Sequence, residues 1–247
     1  MDGHLLLVAH GSRDPRHAVT VRALTRRIRS TRPGLRVGTA FLDFDSPSVQ
    51  GELTRMAAGG AAGVVVQPLL LSRAFHARHD LPGALRGAPA PLVVRQAPVL
   101  GPHPLLTAAL ERRLYEAGLG PHERATTGVV LAAAGTTDPD AAAVLAGIAR
   151  SWQGTGWRAV RPAFASAGPL FPATGDAVRA LRAEGVRRVA VAPYVLAPGR
   201  LPDRIAAGAA EAGADVLGGV LGAAPELVRL VLLRYDGAVA GARALAA

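Results

Sequence analysis

Three residues bring reactive groups to this chain: His10, Asp43 and His76. Two imidazoles and a carboxylate suit a first-row divalent ion with coordination positions left open. The same rings accept protons near neutral pH, because unperturbed imidazole titrates around 6.5. Each stands at or just past the end of an expected strand. Leu5 to Ala9 is a short apolar run closed by Gly11 and Pro15, the pattern of a strand buried on both faces. Leu35 to Phe41 is a second, ending at Leu42-Asp43, and Gly63 to Leu71 a third, followed by Ser72-Arg73-Ala74-Phe75-His76-Ala77-Arg78-His79. Carboxyl ends of neighbouring parallel strands share one rim, where ligands bind in open α/β sheets, so the three can meet. Plainer readings stand beside this one. His10 alone fits a structural histidine, Asp43 fits the cap of a helix near Pro47, and His76 and His79 fit a solvated loop. Arg73 and Arg78, taken singly, read as surface charges, as do His4, His17, His103 and His122.

The elements that must position these groups alternate between strand and helix. Arg16 to Ser30 carries Val19, Ala23, Leu24 and Ile28 at helical spacing, with Ser12 or Asp14 available as its cap. Ser46-Pro47-Ser48 opens a second helix, with the proline suited to a first turn. A fourth strand is expected over Leu92 to Gln96, and a helix from about Pro104 to Ala117. This alternation implies βαβ units around a parallel sheet. The stretch from Gly118 to Thr127 is polar and turn-rich, and beyond it the pattern restarts. Val129 to Pro139 repeats the opening stretch with Ala134 in the place of His10. Ala163-Phe164 answers Ala40-Phe41, and Pro193 answers Pro68. Three matches in order at nearly one offset imply two similar α/β domains, 1–120 and 127–247. Asp43 has roughly Ser166 as counterpart, and the segment holding His76 and His79 is shortened in the second half. A purely structural role should have survived the repeat, so one active site is expected, supplied by the first half.

Composition narrows the classes. Of 247 residues, 50% are hydrophobic and 19% charged, which argues against disorder and for a sizeable core. The net charge of +10 comes from arginine alone, since the chain has no lysine, and it favours polyanionic partners. A small molecule bearing many carboxylates is one. Nucleic acid is a weaker one, because aromatic residues make up 4% of the chain and no binding motif is present. With no cysteine, disulfides and thiolate metal sites are excluded. No basic n-region precedes an apolar stretch, and no apolar run reaches the roughly 18–20 residues of a membrane span, so a cytoplasmic protein is expected. Neither half carries a Walker loop or a full Gly-x-Gly-x-x-Gly after its first strand.

Leu5 to Pro15, Phe41-Leu42-Asp43 with Ser46-Pro47-Ser48, and Val65 to Pro82 together resemble the class II chelatases, in particular sirohydrochlorin chelatases of the CbiX and SirB type. The resemblance covers both halves and corresponds to the long form, in which two flavodoxin-like half-domains are fused. It implies ATP-independent insertion of Co²⁺ or Fe²⁺ into sirohydrochlorin, an octacarboxylate tetrapyrrole, towards cobalamin or sirohaem, with no cofactor beyond the substrate metal. It casts His10 and His76 as the catalytic pair and metal ligands, and Asp43 as the metal-side carboxylate. The family commonly has glutamate there. Asp43 is one methylene shorter, which points to action through water. Arg13, Arg73, Arg78 and His79 would pair with the substrate's carboxylates, arginine in bidentate fashion. A non-catalytic metal or tetrapyrrole carrier on the same fold is the alternative, and a monomer is expected because the halves are fused.

Overall fold

β1 (His4–Ala9) is buried along its whole length, the condition of a strand whose sheet has helices on both faces. In the computed structural model, which describes residues 3–72 and 80–244, β1 lies inside a parallel sheet. Its partners are β2 (Arg36–Phe41), β3 (Gly63–Pro68) and β4 (Val93–Gln96), in the order β2-β1-β3-β4. Ala9 pairs with Phe41 and Val8 with Pro68, so the three strands finish at one edge. The connections to β2 and from β3 to β4 leave β1 and β3 in opposite directions, which makes the β1–β3 edge a topological switch point. Helices α1 (Pro15–Thr31), α2 (Val49–Ala58) and α3 (Asp80–Leu85) lie in these connections.

Local chemistry explains where the helices begin. Asp14 Oδ1 accepts the Arg16 N–H at 2.9 Å and starts α1, while Ser12 Oγ accepts the Asp14 N–H at 3.1 Å. The buried stripe of α1 runs through Ala18, Val21, Leu24, Thr25 and Ile28. Val19, expected on that stripe, is 59% exposed, because Ala18 and Val21 supply the face of that turn that meets the sheet. α2 is capped by Ser48, whose Oγ accepts the Gly51 N–H at 3.1 Å. Pro47 therefore precedes the helix rather than occupying its first turn. Its carbonyl accepts the Phe41 N–H at 3.0 Å and closes the loop back onto β2.

After α4 (Pro104–Glu116) the architecture repeats. β5 (Thr127–Ala133), β6 (Ala159–Phe164), β7 (Arg188–Tyr194) and β8 (Val216–Leu217) form a parallel sheet of order β6-β5-β7-β8. Between them lie α5 (Pro139–Gln153), α6 (Thr174–Ala183) and α7 (Arg200–Glu211), and α8 (Pro225–Ala244) follows. The repeat extends to single hydrogen bonds. Leu42 N–H to Ala9 O at 3.0 Å is matched by Ala165 N–H to Ala133 O at 2.9 Å. Phe41 N–H to Pro47 O is matched by Phe164 N–H to Pro172 O, also at 2.9 Å.

Packing groups the chain into Met1–Gly101 with Gly222–Ala247, and Pro102–Leu221. These units differ from the sequence halves by one helix each: α8 belongs with the first sheet and α4 with the second. In the first unit Leu227, Leu230 and Val231 of α8 are fully buried. There Arg234 Nη2 donates to the Leu100 carbonyl at 3.4 Å, and Arg27 Nη1 donates to Ala223 O at 2.8 Å. In the second, Leu106, Ala109, Leu110 and Leu114 of α4 are buried, and Arg113 donates to the Val220 and Leu221 carbonyls, each at 3.0 Å. Among the described residues no helix is long and apolar enough to cross a membrane. Two histidines expected at the surface have structural positions instead. His4 is buried within β1, and His103 Nδ1 accepts the Leu105 N–H at 3.1 Å to cap α4.

Candidate functional site

His10 follows directly on β1 and is half-buried. The residue after it has to be glycine. Gly11 has φ +97°, and a Cβ there would lie 1.8 Å from the Asp43 carbonyl oxygen. This close passage lets the ladder between β1 and β2 continue past both strands, through Leu42 N–H to Ala9 O and then Asp43 N–H to His10 O at 2.8 Å. Two residues far apart in sequence are thereby held side by side through their own backbones. In the tautomer with Nδ1 protonated, that proton is directed at the Gly11 carbonyl 3.4 Å away, and Nε2 carries the lone pair.

Asp43 is exposed, and its Oδ1 accepts the Phe44 N–H at 2.8 Å. Because Ser48 caps α2, Asp43 does not. Asp45 N–H donates to the Asp43 carbonyl at 2.7 Å, and Asp45 Oδ2 accepts the Ser12 N–H at 3.0 Å. These bonds pin a short loop in which Phe44 takes φ +62°, the one positive φ outside glycine among the described residues. A non-glycine residue in that region costs of order 1–2 kcal/mol. The Phe44 ring lies 6.2 Å from the His10 ring, tilted by 34°, and the Arg13 guanidinium sits over it at 5.3 Å from its centre. His17, in the first turn of α1, has its ring 6.3 Å from that of Phe41. Burial pushes its imidazole below the ordinary value, while the Asp45 carboxylate pulls it back up.

Of the residues singled out in the sequence, His10, Asp43 and Arg13 are brought into this one cluster of loops. His76, Arg73, Arg78 and His79 lie outside the described residues. Leu69 N–H donates to Val8 O at 2.8 Å, so the chain leaves β3 beside β1 at the His10 edge just before entering 73–79. Among the described residues no group of three histidine, aspartate or glutamate side chains could hold a metal; His10 and Asp43 need a further partner. In the second unit Ala134 follows β5, and Ser166 stands where the ladder puts Asp43 in the first. Its Oγ accepts from Arg204 Nη1 at 2.6 Å. The equivalent rim thus offers hydroxyl and guanidinium in place of imidazole and carboxylate.

Phe44, Asp45 and His17 were not singled out in the sequence. A lone aromatic between two acids in a turn, Asp43-Phe44-Asp45, is the signal that could have found the first two. His17 reads as one more polar residue of an amphipathic helix and gives no such signal.

The family model for CbiX matches residues 4–117 and 128–238. A sirohydrochlorin cobaltochelatase of Priestia megaterium is 32% identical over 220 residues, spanning 83% of this chain and 69% of the relative. A sirohydrochlorin ferrochelatase of the same organism is 27% identical over 206 residues, with 81% and 76% covered. Among solved structures, SirB from Bacillus subtilis with Fe³⁺ superposes with a TM-score of 0.84 at 25% identity, covering 99% of this chain and 98% of that one.

Proposed function

The chain belongs to the CbiX family, and from that membership we propose that it inserts Co²⁺ or Fe²⁺ into sirohydrochlorin. The observation that carries the reading is the bond from Asp43 N–H to His10 O at 2.8 Å. It fixes an imidazole and a carboxylate together on the rim of one unit, while the matching rim of the other has Ala134 and Ser166. The reaction exchanges one divalent ion for the two pyrrole protons of the free-base macrocycle. The ion must be held firmly enough to shed water and loosely enough to be passed on. Neutral imidazole meets both needs, and a site with positions left open lets ring nitrogens replace protein ligands one at a time. His10 and His76 hold the ion in this reading. Once it has moved to the ring, their freed lone pairs take the two protons.

Asp43 offsets the positive charge of the ion, and with its short side chain it acts through water. Its contact with the Phe44 N–H fixes the orientation of the carboxylate just past the end of β2. Arg13, Arg73, Arg78 and His79 pair with substrate carboxylates, in keeping with the net charge of +10. No nucleotide enters the scheme, and the protein acts as a monomer in the cytoplasm.

The test is anaerobic insertion of Co²⁺ into sirohydrochlorin, followed by absorbance, with His10→Ala as control. Wild type should accelerate insertion, and the variant should lose about 100-fold or more, the usual contribution of a positioned proton acceptor, with its thermal midpoint unchanged. Full activity in the variant would remove His10 from the mechanism. Co²⁺ binding without acceleration by wild type would make the protein a carrier.

A further inference from the structure

Phe44 is held in a backbone conformation that its side chain disfavours, and 51% of the residue is exposed. Neither property recurs in the second unit. The second unit makes the same connection, from the end of its second strand back to a proline whose carbonyl caps that strand, and does so with no positive φ outside glycine. It spends five residues between Ser166 and Pro172 where the first unit has three between Asp43 and Pro47. It also carries an aromatic residue in this connection, Phe171, which turns inward and packs edge-on against Phe164 at 5.2 Å. In the first unit the shorter connection is pinned by Asp43 Oδ1 and Asp45 Oδ2, and the ring is turned out, beside His10 and under Arg13. Strain kept at one copy of a repeat and absent from the other marks a local function.

We propose that Phe44 is a substrate-contact residue, whose ring lies against the flat conjugated face of the tetrapyrrole and sets the macrocycle over His10. This rests on the chelatase reading above and deepens it. An aromatic ring offers a π face and apolar area to a conjugated macrocycle. Arg13, already held over the Phe44 ring, is placed to take a carboxylate at the edge of the same molecule. Phe44 thus selects for a flat ring, while His10 and Asp43 deal with the ion. The two carboxylates that pin the loop gain a second task, since they also hold the platform in place.

The experiment is an anaerobic titration of metal-free protein with sirohydrochlorin, followed by absorbance, alongside calorimetric titration with Co²⁺ alone. Phe44→Gly removes the ring while suiting φ +62° better than phenylalanine does, so the fold is kept. It should weaken sirohydrochlorin binding by about tenfold, or about 1.4 kcal/mol. KM should rise in step, with Co²⁺ affinity unchanged and the thermal midpoint no lower than wild type. Phe44→Trp should bind within about twofold of wild type, because a larger ring still stacks. Equal sirohydrochlorin affinity in wild type and Phe44→Gly, with wild type still inserting Co²⁺, would overturn the role of Phe44 and leave the chelatase reading standing. A wild-type protein that neither binds sirohydrochlorin nor inserts Co²⁺ would overturn both.

Discussion

Gly11 passes close to the Asp43 carbonyl because its side chain is a hydrogen atom, and the pairing of imidazole with carboxylate depends on that approach. Gly11→Ala would put a methyl group 1.8 Å from the oxygen at φ +97°, so the Asp43 loop must move away. The variant should lose more than about 1 kcal/mol of stability, seen as a lower thermal midpoint, and should lose Co²⁺ insertion even where folded protein remains. At this scale the sequence was legible where a residue type coincides with an element's end. His10 and Asp43 each close an apolar run, and glycine after a histidine at a strand end announces a turn. Phe44 was not legible, because its left-handed φ is held by two hydrogen bonds within the Asp43–Asp45 turn and one from the Ser12 backbone, and leaves no mark on the residue itself. His17 escaped for a similar reason. Its depressed basicity comes from burial, which tertiary packing sets and the helical pattern does not show.

The apolar runs suffice to predict the buried strands β1 and β3, and apolar spacing suffices to predict the helices. The misreadings came where tertiary contacts decide. Val19 fits the helical stripe by spacing yet faces water, since Ala18 and Val21 already cover the sheet. Pro47 suits a first turn but is used to cap β2. β8 has two residues and so no period to detect. The strand β7 also carries a testable titration. Tyr194 is buried at its end, and burial raises the phenol well above its usual value. Below about pH 10 the phenol is neutral in both folded and unfolded states and contributes no pH dependence. Above that, the unfolded chain releases the proton while the folded one retains it, so stability falls as pH rises. Urea denaturation from pH 8 to 11 should show this alkaline decline, and Tyr194→Phe should flatten it.

At the scale of the molecule, the repeat was legible and the exchange of helices was not. α4 and α8 both begin with proline, both present an apolar face, and carry Arg113 and Arg234 at matching places; each arginine donates to the carbonyl of a matching leucine, Leu221 and Leu100. Either helix fits either sheet by local pattern, and only the completed chain distinguishes the two arrangements. Leu230 lies in the second repeat but is fully buried in the unit that contains His10. Leu230→Ala should cost about 2–5 kcal/mol and act on the first sheet. Hydrogen exchange would then quicken in β1 and β3 and stay unchanged in β5 and β7; the reverse pattern would contradict the exchange. The same feature sets an order of events during synthesis. A ribosome delivers residues 102–221 before it delivers α8, so the second unit has all of its parts first. The unit that begins at the amino terminus waits with one helix missing, and its sheet is covered last.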